Sequence, residues 1–287
     1  MNKDFVAACD GFVALSVLEM HELEARFRTV LAPYYSQQNH LLAALPADEF
    51  ERLLGHLDMV AFHDGWVVHE SGKRLQHVYF PISGVVSLLS ETHGGASAEV
   101  AVVGNEGLIG IFSFMRGDTT FTRAIVQCPG NAYQMKVEAL RREYEHEGQL
   151  RLLLQRYSQT VLKQMALAAV CNRHHTVLQR FCRWLLTSLD RLPSNEISST
   201  HEQISNLLGV RREAVTEAAT WLKESGVIHY GRGHITVVKR CELEALACDC
   251  YAMARYETRY VTRYVTEHVT EHVTEPAPTP GSPGNRK

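Results

Sequence analysis

The sequence predicts an α+β chain in which a small β-barrel of the jelly-roll kind is followed by a long helix and then by a winged helix-turn-helix. Three observations carry that prediction. Between residues 59 and 137, short β-rich runs recur at roughly ten-residue spacing between Gly, Pro, Asn and Asp. From Leu150 to Leu189 there is neither Gly nor Pro. Between Thr200 and Lys239, two short helical patterns flank one glycine and lead into a hairpin.

Taken in order, residues 1–38 form an extension in which Val17 to Leu31 has the apolar spacing of an amphipathic helix. Leu41, Leu42 and Leu45, then Phe50, Leu53 and Leu54, recur at helical spacing, and Pro46 separates two short helices. The sensor barrel is expected over 39–140. Its strands are expected at Val67–Val68, His77–Phe80, Gly84–Leu89, Glu99–Val103, Ala124–Gln127 and Ala132–Met135. Residues 141–190 read as the long helical region. Leu154, Tyr157, Val161, Gln164, Ala168 and Cys171 fall at alternating three- and four-residue steps, the seam of a coiled coil. Leu153, Leu162, Met165 and Leu167 supply a second apolar face. One face packs on the helix's own domain, and the seam is expected to pair with a second copy across a two-fold axis.

Pro193 ends that helix in a polar hinge, and a compact domain follows over 191–247. Thr200 and Gln203 make a capping box, Gly209 suits a left-handed C-cap, and a second helix starts at Arg212. Ser205 is small where two helices cross, and Val215 and Ala218 face inward. The outer face of the second helix then offers Arg211, Arg212, Glu213, Thr216, Glu217 and Thr220. Arg232 stands in a glycine turn between two strands, the wing. Residues 248–287 read as a tail. Arg255–Thr258, Arg259–Thr262, Arg263–Thr266, Glu267–Thr270 and Glu271–Thr274 repeat one four-residue unit, and the Pro- and Gly-rich end from Pro276 has the composition of a disordered segment. A period of four drifts about 40° per unit on a helix, so no single apolar face forms.

Composition bounds the function. With 287 residues, 45% hydrophobic and 21% charged, the chain is globular and of about two domains. No apolar run approaches the ~20 residues of a membrane span, and Asp10, Glu19, Glu22 and Glu24 interrupt any signal-like segment. Seven cysteines, an odd number spread over a long chain, are not a disulfide framework, so a cytoplasmic location is expected. A net charge of −3 means that a polyanion must be met by a local basic patch. No Walker loop, nucleophile elbow, zincin motif or dinucleotide fingerprint is present, so no enzyme is expected. Cys171, His174, His175 and Cys182 share a helix face, but ordinary helix residues explain them. Cys241, Cys248 and Cys250 match no zinc spacing, so no metal or cofactor is expected.

Barrel, long helix and winged helix-turn-helix in that order resemble the Crp/Fnr (catabolite activator protein-like) transcription regulators over residues 39–247. The specific segments are His77–Gly84, Leu207–Val215 and Leu222–Ile228. The resemblance implies a cyclic-nucleotide-binding-like sensor, a homodimer on double-stranded DNA, and RNA polymerase as partner. It also implies base readout by Arg212 and Glu213, since Arg suits guanine and Glu suits cytosine. Thr200, Arg211, Thr216, Glu217 and Arg232 complete the expected DNA surface. The effector pocket is expected around Glu106, Gly107, Gly110 and Arg123. Here the sequence departs from cyclic-nucleotide-binding relatives: Ala124 replaces the hydroxyl that follows the phosphate arginine, and Leu108 takes the ribose glutamate's place. Cyclic AMP is therefore not the expected effector. Where relatives cap the recognition helix with Ser or Thr, this chain has Arg211. A competing reading is a ligand-sensing module whose C-terminal domain docks protein instead of DNA.

Overall fold

The computed structural model describes residues 38–115 and 119–256. The candidate helix at 17–31 and the tetrapeptide repeats beyond Tyr256 lie outside them. Two short helices, α1 (His40–Ala43) and α2 (Ala47–Leu54), precede the barrel. Asn39 starts α1: its side-chain oxygen accepts from the Leu41 and Leu42 N–H groups, while its amide donates to the carbonyls of Pro81 and Gly107. One buried side chain thus caps a helix and ties it to the barrel.

The barrel consists of β1 (Asp58–Phe62), β2 (Val67–His69), β3 (His77–Pro81), β4 (Val85–Glu91), β5 (Ser97–Val103), β6 (Arg123–Cys128) and β7 (Gly130–Lys136). Two antiparallel sheets, ordered β1-β7-β3 and β2-β6-β4-β5, face each other as in a jelly roll. All six expected runs are strands, and β1 adds one more. Between the layers lie Phe62, Phe80, Val86, Leu88, Val103, Ile109 and Met135, each buried.

Helix α3 (Val137–Glu145) leads into α4 (Gln149–His174). Gly148 offers α4 no side-chain cap. The Glu49 carboxylate from α2 does so instead, accepting from the Gln149 and Leu150 N–H groups at 2.7 and 2.9 Å. The Gly- and Pro-free run does not stay one helix. His175 is extended at φ −109° and ψ 147°, and Thr176 opens α5 (Val177–Leu189) with a full capping box to Gln179. Thr-x-x-Gln in mid-run was the overlooked signal: a residue that satisfies N–H groups from outside a helix competes with continuing it.

The expected dimer seam is corrected. Leu154, Tyr157, Val161, Ala168 and Cys171 are buried by their own chain, and the Gln164 amide oxygen accepts from the Val102 N–H of β5 at 3.1 Å. Leu154, Tyr157 and Val161 lie on the barrel core, while Cys171 packs with Cys248 and Cys250. Gly107 shows how close this packing is: a Cβ there would stand 1.9 Å from the Tyr157 hydroxyl.

Helix α5 joins the next unit. Phe181, Trp184 and Leu185 share one core with Ile204, Leu208, Val215, Leu222 and Ile235, and that core also receives Val85, Leu89, Val102 and Cys128 from the barrel's outer face. The unit continues through β8 (Glu196–Ser198), α6 (His201–Leu208), α7 (Arg212–Glu224), β9 (Ile228–Gly231), β10 (His234–Val237) and α8 (Arg240–Leu246), with its sheet ordered β8-β10-β9. Structure does not stop at residue 247, where the tail was expected to begin. Residues 250–256 are helical, and Cys248, Cys250 and Tyr251 are buried. The Tyr251 hydroxyl donates to Asp190 at the end of α5, and Arg240 pairs with the same carboxylate. Among the described residues, no helix is long and apolar enough to cross a membrane.

Candidate nucleic-acid interface and sensor cavity

The C-terminal motif is built as its sequence demands. The Thr200 hydroxyl accepts from the Gln203 N–H at 3.2 Å, and the Gln203 side chain accepts from the Thr200 N–H at 2.7 Å. Gly209 closes α6 at φ 62°, ψ 42°, with its N–H on the Ser205 carbonyl. That left-handed conformation costs a non-glycine residue about 1–2 kcal/mol. It lets the chain reverse so that Val215 and Ala218 of α7 bury against α6. The outer face of α7 is open: Arg211, Arg212, Glu213, Thr216, Glu217 and Thr220 are all exposed.

These side chains are not equally free. The Thr216 hydroxyl donates to the Arg212 carbonyl and is bonded to His201 Nδ1 at 2.9 Å, and the Thr220 hydroxyl donates to the Thr216 carbonyl. His201 also stacks on Tyr230, with ring centroids 4.4 Å apart, so the wing is fixed to both helices. Burial, with Arg212 adding to it, pushes the His201 imidazole below its ordinary range, which keeps this contact neutral near pH 7. Arg211 makes no side-chain cap. Arg232 and Gly233, at φ 52° and 81°, form the two-residue turn of the β9–β10 hairpin, the pattern of a type I′ turn, and place Arg232 exposed at the wing tip.

The expected effector residues come apart. Glu106 is not among the residues that line the barrel's cleft. It is buried and accepts from Arg191 at 2.7 and 2.8 Å, joining the barrel to the end of α5. Burial works against the Arg191 charge and Glu106 more than offsets it, so the guanidinium stays protonated. Gly107 lies over Tyr157. Arg123 is paired with Glu70 and Glu91, both at 3.2 Å. Of the four, Gly110 alone lines the barrel's small open cleft. The cleft is lined instead by His69, Arg74, Phe112, Thr120, Phe121 and Arg141, among others. Burial first, opposed by a hydrogen bond to the Thr122 backbone, pushes His69 down to about 4, so it enters the cleft uncharged. Sequence spacing placed Arg123 correctly on β6 but carried no information about the two carboxylates across the sheet.

A further group gathers where none was expected. The spacings of Cys171, His175, Cys248 and Cys250 signal nothing individually, yet their ligand atoms all lie within 4.8 Å of one another.

Residues 59–147 match the cyclic nucleotide-binding domain model, and residues 179–246 match the Crp-like helix-turn-helix domain model. The chain belongs to the Crp/Fnr family of transcription regulators. Solved structures of like fold agree. FixK2 from Bradyrhizobium japonicum has a TM-score of 0.58 at 17% identity, over 67% of this chain and 98% of that one. The c-di-GMP responsive global regulator CLP from Xanthomonas campestris scores 0.54 at 18%, over 67% and 99%. A CRP/FNR-family transcriptional regulator from Thermus thermophilus scores 0.54 at 19%, over 66% and 98%. No curated protein sequence matches. This regulator therefore carries a cyclic nucleotide-binding-type sensor barrel and a Crp-like helix-turn-helix for DNA.

Proposed function

We propose that this regulator binds its operator as a homodimer and answers an effector other than cyclic AMP, with RNA polymerase as its protein partner. The observation that carries the DNA-binding part is the open outer face of α7, with Arg212 in its first turn and Arg232 at the wing tip. Arg212 and Glu213 are the base readers in this reading, and Arg211, Thr200 and Arg232 meet phosphates. Thr216 and Glu217 complete the surface. Two copies of α7 would read half-sites about 34 Å apart, one turn of DNA.

The homodimer rests on a face of α4 other than the expected seam. Leu152, Gln155, Gln159, Leu162, Ala166, Ala169 and Arg173 are exposed and follow one another by three and four residues, with Val170 beside them. Among the described residues that row stays exposed, with Gln155 of it donating to the Tyr144 hydroxyl, and it is continuous over most of the helix.

Selection of bound sequences from random duplexes, followed by affinity at several salt concentrations, tests the DNA reading. Arg212→Ala is expected to cost about 1–3 kcal/mol on the selected site and to relax one base position. Equal weakening on every sequence would make Arg212 a phosphate contact, and an absent salt slope would favour a protein-docking domain.

The sensor reading rests on Arg123, which two carboxylates already neutralise, and on Leu108 and Ala124, both fully buried where relatives hold ribose and phosphate. A cyclic nucleotide there would leave its anion and hydroxyls unmet, which is costly in a closed site. Calorimetry with cyclic AMP is expected to show no binding. Saturable binding lost in Arg123→Ala would overturn the assignment.

A further inference from the structure

The chain reaches the elbow between α4 and α5 twice. Cys171 lies in the last turn of α4 and His175 is its C-cap, one helical turn later and with its N–H on the Cys171 carbonyl. The second approach comes some seventy residues later, after the wing and α8, where Cys248 and Cys250 flank Asp249 at the start of the C-terminal helix. The four side chains converge there. The sulfurs of Cys171 and Cys248 are 3.6 Å apart, and the Cys250 sulfur is 3.6 Å from His175 Nδ1. The three cysteines are buried and form a small core of their own, apart from the two large ones. All are free thiols.

These distances have a meaning. A tetrahedral ion with metal–sulfur bonds of about 2.3 Å and a metal–nitrogen bond of about 2.0 Å has sulfur–sulfur edges of about 3.8 Å and sulfur–nitrogen edges of about 3.5 Å. Four ligand atoms within 4.8 Å fit one ion. An iron–sulfur cluster spreads its four ligands over two or more irons, so they do not all lie around one point as these do. Thiolates with one imidazole select a thiophilic ion of the zinc class over magnesium or calcium.

Two surrounding groups agree. Asp249 stands 3.4 Å from His175 Nε2, on the ring nitrogen away from the one that meets the Cys250 sulfur. This carboxylate–histidine arrangement is the usual support of a metal-bound imidazole. Arg180 of α5 is 7% exposed, and its Nε has no hydrogen-bond partner among the described residues. Its other end donates to the Leu208 carbonyl, the last residue of α6. No carboxylate pairs with it among the described residues, and Cys171, Cys248 and a second cation, Arg183, are near enough to act on its charge. A buried cation needs a counter-charge. Three thiolates and one divalent ion sum to −1 and supply it.

We propose that Cys171, His175, Cys248 and Cys250 form a closed tetrahedral site for a single zinc-class ion. The ion fastens the C-terminal segment to the elbow joining the α4 helix to the DNA-binding unit. All four positions are filled by protein, the pattern of a structural rather than a catalytic centre. Ion binding replaces the thiol protons, which leave to solvent, so no oxidant is required.

The test uses the full-length chain, isolated without added metal and titrated with Zn²⁺ or Co²⁺. One equivalent per chain is expected. X-ray absorption of the zinc form should show three sulfurs at about 2.3 Å and one nitrogen at about 2.0 Å. The cobalt form should show a near-ultraviolet thiolate-to-cobalt band and the visible bands of tetrahedral cobalt. Cys248→Ser and Cys250→Ser are expected to lose the stoichiometric ion, while Cys182→Ser, a buried cysteine outside the group, keeps it. Asp249→Asn should weaken affinity roughly 10–100-fold. The wild-type spectra need no variant to fold. Absence of a thiolate–cobalt band in folded wild-type protein would overturn the proposal. So would an unchanged band in Cys248→Ser, or a Cys171–Cys248 disulfide without metal in anaerobically isolated protein.

Discussion

Glu106→Gln is expected to lower the stability of the protein by roughly 3–5 kcal/mol, the cost of leaving a buried charge without its partner. The argument rests on how completely the pair is enclosed. The side chains of Arg191 and Glu106 are 6% and 4% exposed, and both Nε and the terminal nitrogen of Arg191 meet the same carboxylate oxygen. Around them the space is filled: a Cβ on Gly104 would stand 2.8 Å from Arg191 Cδ. The third donor goes to the Thr187 carbonyl at 2.7 Å, so it offers no counter-charge. Glutamine keeps the shape and an acceptor but removes the charge, so the loss reports on electrostatics and not on a cavity. Chemical denaturation measures it. A double change, Glu106→Leu with Arg191→Leu, should recover most of the loss, because apolar replacement of a buried pair is near neutral. A loss under about 1 kcal/mol in Glu106→Gln would mean that water reaches the pair as at a surface. Since the pair joins β5 and its following loop to the end of α5, the same variant should also loosen the coupling between sensor and DNA-binding unit.

Glu106 also shows where sequence reading stops. Its place in a Gly-rich loop after β5 was legible, and the resemblance made it a pocket residue. What it touches depends on Arg191, 85 positions away. The helix-turn-helix was legible to the residue because its logic is local: capping box, small crossing residue, left-handed glycine and buried valine all lie between Thr200 and Val215. The strands were legible for the same reason, each being one short run between turn residues. The elbow at His175 was legible too, through Thr176 and Gln179, but it was outweighed by the lack of Gly and Pro. The Cys171, His175, Cys248 and Cys250 group was not legible. Its halves are separated by the whole winged domain, and a C-x-C pair with a distant C-x3-H pair matches no compact spacing.

The α4 faces make the last case, and it carries the largest expected effect on function. Leu162→Glu is expected to turn the dimer into monomers and to lower operator affinity by a factor of 10² to 10⁴, the gain that linking two half-site modules supplies. Periodicity does not say which residues meet the barrel, and the second face expected from the sequence splits: Leu153 is buried and Met165 packs on the barrel core, while Leu162 is exposed. Burial decides it. Val161 is fully buried against its own chain, whereas Leu162 is 52% exposed, with Leu152 at 46% and Val170 at 52%. Exposed leucines and a valine set among small and uncharged polar side chains along one helix are what a pairing surface leaves uncovered in a single chain. A glutamate at Leu162 would meet its own copy near the two-fold axis, where two like charges lose their water together. The control is Val161→Glu. It sits one residue away but points into the barrel, so it should destabilise the fold itself, with aggregation or a lowered melting temperature instead of clean monomers. Sedimentation and operator titration separate the two. Folded Leu162→Glu that still sediments as a dimer would move the interface off this face of α4. Monomers that retain full operator affinity would show that each α7 reads its half-site alone.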